Sequence, residues 1–205
     1  MRKFDYSRPI RDRVEEAKSG TLFVMPDFAD LAPNNAANRV VKRLVDEGEL
    51  KTVIRGVYVK PAYNAFLGEM AQPSAEEVAR ALGRKNGWTV RPDGDVALNL
   101  LGLSTQVPSV WTFVSDGPYK TYVYGAGRIV LKHTANRLMA KLTREAALVV
   151  QAFRAIGEAQ VDEDFLRRLA SRYTRRQVEE LITETLTAPD WIRARIRALK
   201  EYAHD

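Results

Sequence analysis

The segment "NNAANRVVKRLVDEGELKTVIRGVYVKP", residues 34–61, carries the most informative pattern of the chain. Its first half has apolar residues at spacings of three and four, which predicts a helix from Ala36 to Glu47 with one buried face. Asn35 is expected to cap this helix and Gly48 to end it. The buried face is predicted to consist of Ala37, Val40, Val41, Leu44 and Val45.

The second half of the segment predicts a β-hairpin, because the β-prone runs "LKTVI" and "VYVK" flank a tight turn at Arg55 and Gly56. Upstream, a helix is predicted from Ser7 to Lys18, followed by the strand "TLFVM" and a brief helix in "DFADLA". This order is typical of a winged helix-turn-helix, in which the second helix of the motif enters the DNA major groove. We therefore predict a winged helix-turn-helix domain at residues 1–61.

The outer face of the predicted helix carries side chains that are suited to DNA. Arginine forms paired hydrogen bonds with guanine and asparagine with adenine, whereas lysine neutralises phosphates and so positions without specifying. Any solvent-exposed helix face also carries charges. From this helix alone, a DNA-binding face and an ordinary solvated face are therefore both open. The adjacent basic hairpin favours DNA binding. The predicted DNA-binding residues are Asn34, Asn35, Asn38, Arg39, Lys42, Arg43, Lys51, Arg55 and Lys60.

The remainder predicts a mixed α/β domain at residues 73–205, joined to the first domain by a linker at residues 61–73. Helices are expected in "SAEEVARALGRKNG" and "DGDVALNLLGL", and the strands "SVWTFVS", "KTYVY" and "RIVLKH" are expected to form a small antiparallel sheet. The fold class is therefore α+β. The C-terminal part is predicted to be helical at residues 136–156, 162–173, 174–186 and 189–204.

Composition restricts the function classes. The chain has 205 residues and no cysteine, which excludes disulfides and thiolate metal sites, and its net charge of +6 favours a polyanionic partner. No apolar run reaches membrane-spanning length and the first residues contain no signal-peptide core, so we expect a cytoplasmic protein without a membrane partner. No catalytic motif occurs. We expect no enzymatic activity, no metal site and no cofactor, and we interpret His133 as structural.

A cluster of five arginines near the C terminus leaves three interpretations open: a solvated face, a second contact with the DNA backbone, or a surface for a partner protein. No acidic residue lies between Phe165 and Val178. The cluster consists of Arg167, Arg168, Arg172, Arg175 and Arg176.

The motif "GLSTQVP" has a chemical and a structural interpretation. Ser104, Thr105 and Gln106 are candidates for contacts with a ligand or a partner. The structural interpretation, which we favour, is that Gly102 ends a helix and Pro108 leads into a strand.

The stretches "GTLFVMPDFADLA", "ANRVVKRLVDEGEL" and "RGVYVKP" resemble the N-terminal domain of the AbiEi family of antitoxins. "VALNLLGLSTQVPSVWTFVSDGPYKTYVYGAGRIVLKH" resembles the segment that follows in a DUF6088-like subgroup, so the resemblance extends from Gly20 to His133. It implies a sequence-specific antitoxin of a type IV toxin–antitoxin system that binds double-stranded operator DNA and represses its own operon. It also implies a nucleotidyltransferase-like toxin as functional partner, opposed without a stable complex. The alternative is an interaction module whose winged helix docks a protein rather than DNA.

Overall fold

The computed structural model describes residues 5–66, 68–106, 108–134 and 142–205 of an α+β chain. The chain divides into two compact units. The first unit comprises Met1–Trp88 together with Tyr122–Gly125, and the second comprises Thr89–Thr121 and Ala126–Asp205. Because Tyr122–Gly125 belong to the first unit, that unit is discontinuous in sequence.

The first unit begins with two helices and a small antiparallel sheet. Its elements up to the hairpin are α1 (Ser7–Glu16), β1 (Leu22–Phe23), a 3₁₀ helix (Met25–Phe28), α2 (Asn34–Asp46), β2 (Lys51–Ile54) and β3 (Val57–Val59). The strand order is β1-β3-β2, with Leu22 opposite Val59 and Thr52 opposite Tyr58. The strand and the brief helix predicted before α2 are both present, as the two-residue β1 and the four-residue 3₁₀ helix.

The predicted buried face of α2 is confirmed. Ala37, Val40, Val41 and Leu44 are buried and Val45 is half-buried. They share one hydrophobic cluster with Ile10 of α1 and Phe28 of the 3₁₀ helix, so the apolar stripe of α2 forms the core of this part of the first unit.

The start of α2 differs from the prediction. The helix begins at Asn34, directly after Pro33, whose carbonyl oxygen accepts hydrogen bonds from the amides of Ala36 and Ala37. Pro33 is held at φ −58° and ψ 144°, an extended conformation that delivers the chain into the first turn. Asn35 therefore lies inside the helix, and the prediction that it caps the helix is wrong.

The segment 61–73 is not a loose linker. It contains a small antiparallel hairpin of β4 (Tyr63–Asn64) and β5 (Glu69–Met70), closed where the Asn64 side chain accepts a hydrogen bond from the amide of Phe66. Such short strands carry no alternation that the sequence reveals. Tyr63 is 66% and Phe66 94% exposed, so the hairpin presents aromatic rings to solvent.

Helix α3 (Ala75–Asn86) also belongs to the first unit. It begins at a capping box, in which Ser74 and Glu77 hydrogen-bond to each other's backbone amides, and it ends at Gly87 with φ 70°. The Tyr124 hydroxyl donates to the carbonyl of Pro73, just before this helix. Because α3 contacts β1, β3 and the 3₁₀ helix, the division between units falls after Trp88, which differs from the predicted boundary at residues 61–73.

The second unit combines a four-stranded sheet with helices. Its elements are β6 (Val90–Pro92), α4 (Gly94–Leu100), β7 (Val110–Ser115), the start of β8 (Lys120–Tyr124), β9 (Gly127–His133), α5 (Arg144–Ile156), α6 (Glu163–Ala170), α7 (Arg175–Glu184) and α8 (Asp190–Ala198). The last three residues of β8 belong to the first unit. Short 3₁₀ helices lie at Glu158–Gln160 and Leu199–Glu201.

The four-stranded sheet has the order β6-β7-β9-β8 and is mixed rather than purely antiparallel. β7 and β9 run parallel, with Trp111 opposite Ile129, because β8 lies outside β9 and not between the two strands. A Cβ atom on Gly127 would lie 2.4 Å from the carbonyl oxygen of Ser109, so only glycine permits this approach at the start of β9. β6, which the sequence did not predict, accommodates Pro92 because it is an edge strand.

The predicted C-terminal helices are confirmed, with shorter bounds. Within the predicted helix 136–156, residues 136–141 lie outside the described residues, and α5 starts at Arg144 with Thr143 as its cap. α5 is buried on all sides from Ala146 to Phe153, which places it at the centre of the second unit's core. The ring of Phe153 packs 5.6 Å from that of Phe165.

We expect Leu44→Ala to lower the free energy of unfolding of the first unit by about 2–5 kcal/mol, because truncation of this fully buried side chain leaves a cavity. Native-state hydrogen exchange of the α2 amides measures the change. Asn38→Ala, on the exposed face of the same helix, serves as control and should change it by less than about 0.5 kcal/mol. Equal losses in both variants would contradict the core position of Leu44.

Candidate nucleic-acid interface

The outer face of α2 is polar, basic and open to solvent. All six predicted site residues on this helix are exposed: Asn34, Asn35, Asn38, Arg39, Lys42 and Arg43. The spacing of three and four residues between Asn35, Asn38 and Lys42 places them along one side of the helix. No acidic residue occupies the first turn, so the positive end of the helix dipole is not neutralised there by a carboxylate.

The cationic side chains of α2 have no partners within the described parts of the chain. Among the described residues, the side chains of Arg39, Lys42 and Arg43 form no hydrogen bond and no ion pair. The acidic groups beyond the end of the helix are engaged elsewhere, since Arg11 of α1 pairs with both Glu47, at 2.6 Å between Nη2 and Oε2, and Glu49. The hydrogen bond to Glu47 raises the pKa of Arg11 above its usual value. This pairing leaves the cations of α2 without those two carboxylates as partners.

The β2–β3 hairpin adds two further exposed cations. Lys51 lies at the start of β2 and Arg55 at the turn, and neither side chain has a hydrogen-bond or ion-pair partner in the part of the chain that the structure describes. Gly56 follows with φ 78°, which permits the tight reversal. Four residues, 47–50, connect this hairpin to α2, so the two groups of cations are close in sequence.

Lys60 has a different environment from the other predicted site residues. Its Nζ atom donates to the carbonyl oxygens of Glu15, at 2.6 Å, and Ala17, at 2.8 Å. These carbonyls lie at the C-terminal end of α1, where a cation also interacts favourably with the helix dipole. Lys60 therefore stabilises the end of α1, and its ammonium group is already engaged.

The C-terminal arginine cluster is not a set of five unpaired cations. Carboxylates from outside the interval 165–178 reach three of its members. Arg167 pairs with Glu163 at 2.6 Å, Arg176 with Glu180 at 3.2 Å and Arg175 with Asp205 at 3.2 Å. Only Arg168 and Arg172 lack an ion pair within the described ranges.

Arg172 borders a cleft in which three of the eight lining residues are acidic. Glu145, Glu180 and Glu184 line this cleft of about 450 Å³. The hydroxyl of buried Tyr173 donates to Glu145, and burial together with this bond raises the pKa of Tyr173, so it remains a donor. Three carboxylates repel a phosphate group, which disfavours the interpretation of this part of the cluster as a DNA-backbone contact.

The motif "GLSTQVP" closes the end of α4. Gly102 has φ 66°, and the Asn99 amide nitrogen donates to the carbonyl oxygen of Gln106 at 2.8 Å. These contacts favour the structural interpretation of the motif. Val107, which is part of the motif, lies outside the described residues. His133 has a structural contact too, since its Nδ1 atom lies 2.9 Å from the carbonyl oxygen of Gly117.

The described residues form neither a metal-binding cluster nor a membrane-spanning helix. Residues 5–66, 68–106, 108–134 and 142–205 contain no group of three or more acidic or histidine side chains arranged to hold a metal ion. In the same ranges, no helix is both long enough and apolar enough to cross a membrane.

Two basic residues at the end of α3 were missed by sequence reasoning. Arg84 hydrogen-bonds to Asp27 and to the carbonyl of Leu22, and Lys85 donates to the carbonyl of Arg55 at 2.5 Å. The sequence shows only two cations in a last helical turn, where they are common. Nothing in it connects Lys85 with a turn that lies 30 residues upstream.

Comparison with protein families gives one match. Residues 9–181 match the family model described as "Family of unknown function (DUF6088)". The matched region begins in α1 and ends in α7, so it includes the candidate interface and most of both units. The search of curated proteins found no match.

We expect Lys60→Met to lower the free energy of unfolding by about 1 kcal/mol, because the charged donor to two carbonyl groups is lost while the aliphatic stem remains. Its affinity for duplex DNA and the salt dependence of that affinity should not change. Lys51→Met is the matched variant and should show the reverse pattern. A salt slope that falls by about one unit in Lys60→Met would instead show a phosphate contact.

Proposed function

We propose that this chain, which belongs to the DUF6088 family, is a DNA-binding transcriptional repressor and antitoxin of a type IV toxin–antitoxin system. One observation carries the DNA-binding part of the proposal. The exposed cations of α2 and of the β2–β3 hairpin, five in number, have no hydrogen-bond or ion-pair partner among the residues that the structure describes. They are Arg39, Lys42, Arg43, Lys51 and Arg55.

The topology of the first unit supports a winged helix-turn-helix as the reader of DNA. α1, the 3₁₀ helix and α2 follow one another with a short strand between the first two, and an antiparallel hairpin comes next. The sheet order β1-β3-β2 places the strand from between the helices against the hairpin. In this interpretation α2 is the recognition helix that enters the major groove, and the β2–β3 hairpin is the wing.

The side chains of α2 divide into two kinds of contact. Arg39 and Asn38 have the donor geometry that reads guanine and adenine edges, and each good base contact contributes about 1–3 kcal/mol of discrimination. Lys42, Lys51 and Arg55 bring positive charge to the phosphates, which sets the position on the duplex and makes affinity depend on salt. Both kinds are needed for a repressor that selects one operator.

The antitoxin part of the proposal rests on the resemblance of Gly20 to His133 to AbiEi-type antitoxins. In such a system the first unit represses the operon, and the second unit opposes a nucleotidyltransferase-like toxin without a stable complex. Expression of the chain together with the toxin encoded beside it, scored by growth, tests this part separately from DNA binding.

A second candidate function is a protein-interaction module. The exposed aromatic rings of Tyr63 and Phe66 favour it, because exposed apolar groups in one small hairpin often mark a protein contact. In that case the winged helix docks a protein and not DNA. Binding of duplex DNA from the chain's own upstream region discriminates between the two candidates.

We expect the wild-type chain to bind its upstream duplex more tightly than a random duplex at the same salt concentration. Arg39→Ala should lose about 1–3 kcal/mol of binding free energy on the upstream duplex and less on the random one, because a base contact is removed. Fluorescence anisotropy titrations measure both. Arg80→Ala, an exposed arginine of α3, controls for the loss of charge. If the wild-type chain shows no preference between the duplexes, the proposed function is wrong; equal losses for Arg39→Ala would make Arg39 a phosphate contact.

We expect the double variant Arg168→Gln and Arg172→Gln to keep full operator affinity at low and high salt, because Arg172 faces the acidic cleft. Anisotropy titrations over a range of salt concentrations check this. A loss of affinity that is steep at low salt would show a second contact with the DNA backbone. Failure to rescue growth with intact DNA binding would assign the two arginines to a partner surface.

A further inference from the structure

The turn at the tip of the β2–β3 hairpin is not of the primed type. Ile54 pairs with Val57, so Arg55 and Gly56 form a two-residue turn. Gly56 has φ 78°. Arg55 does not have a positive φ, and among the described residues only glycines do. The primed turns that suit two-residue hairpins need a positive φ at the first turn residue. The register also shifts between Thr52 and Ile54.

Lys85 of α3 contacts this turn from outside the hairpin. Its Nζ atom donates to the carbonyl oxygen of Arg55 at 2.5 Å. Its stem lies directly against Gly56, because a Cβ atom at position 56 would be 2.8 Å from both Cε and Nζ of Lys85. The peptide between Arg55 and Gly56 is therefore held in one orientation by a side chain from outside the hairpin.

The helix that carries Lys85 is itself firmly anchored. Val78 and Leu82 of α3 are fully buried. Next to Lys85, Arg84 pairs with Asp27 at 3.2 Å and donates to the carbonyl oxygen of Leu22 at 2.9 Å. A lysine on such a fixed helix can determine where the hairpin tip lies, whereas a lysine on a mobile loop would move with it.

We propose that Lys85 is a positioning residue for DNA binding: it fixes the turn so that the side chain of Arg55 is presented to a phosphate of the duplex. This inference rests on the proposed function. Arg55 has no side-chain partner within the described parts of the chain, so its placement depends on the backbone that carries it. Lys85 acts through Arg55, and its own ammonium group is engaged with the turn and does not contact DNA.

A double-mutant cycle on the full chain distinguishes positioning from direct contact. The salt dependence of affinity for upstream duplex DNA is measured for wild type, Arg55→Ala, Lys85→Met and the double variant. Each single change should reduce the salt slope by about one unit, and the double change should reduce it no further. A double variant that loses about two units would show that Lys85 contacts a phosphate itself, and would overturn the proposal. Arg80→Met on the same helix should leave the slope unchanged.

Amide hydrogen exchange of Val57 in the free chain tests, without DNA, whether Lys85 holds the turn. Lys85→Met should accelerate this exchange by about tenfold, because one hydrogen bond from a charged donor is lost. Arg80→Met should not change it, and the α2 amides of both variants report whether the whole unit is destabilised. Unchanged exchange at Val57 in Lys85→Met would overturn the proposal. If the wild-type chain binds no DNA, the proposed function fails, and the exchange experiment still shows whether Lys85 holds the turn.

Discussion

The packing of one face of α2 against α1 and the 3₁₀ helix is the constraint on which the first unit depends. Burial of Val41 and Leu44 fixes the rotation of α2 about its own axis, because a step of one residue turns a helix by about 100°. The same rotation turns Arg39 and Lys42 to solvent. The apolar stripe therefore determines which charged side chains are available to a partner, and core and interface are two consequences of one periodicity.

Elements with a strong local signal could be predicted from the sequence. The stripe of α2, the Arg55–Gly56 hairpin and the C-terminal helices were all recognised, because each is set by spacing or turn chemistry within a few residues. The β4–β5 hairpin has strands of two residues, too short to show an alternation. The parallel pairing of β7 with β9 depends on strand order, which is a non-local property that no short pattern encodes.

The candidate site shows the same limit. Exposure of the α2 cations follows from periodicity and was predicted, but their freedom from ion pairs was not, since pairing depends on distant residues. Lys60 is engaged by carbonyls more than 40 residues upstream, and Arg175 by Asp205 at the far end of the chain. Charge in a sequence identifies cations; only the folded chain shows which of them retain an unpaired charge.

The discontinuity of the first unit affects the order in which the chain folds during synthesis. Residues up to Trp88 leave the ribosome first, but the unit is complete only when Tyr122–Gly125 have followed. At a translation rate of about 5–20 residues per second, the intervening segment takes roughly 2–7 s to add. In that interval β6, α4 and β7 of the second unit have already been made. Folding of the two units is therefore interleaved in time, and a nascent chain cannot complete its N-terminal unit before the first elements of the next one have emerged.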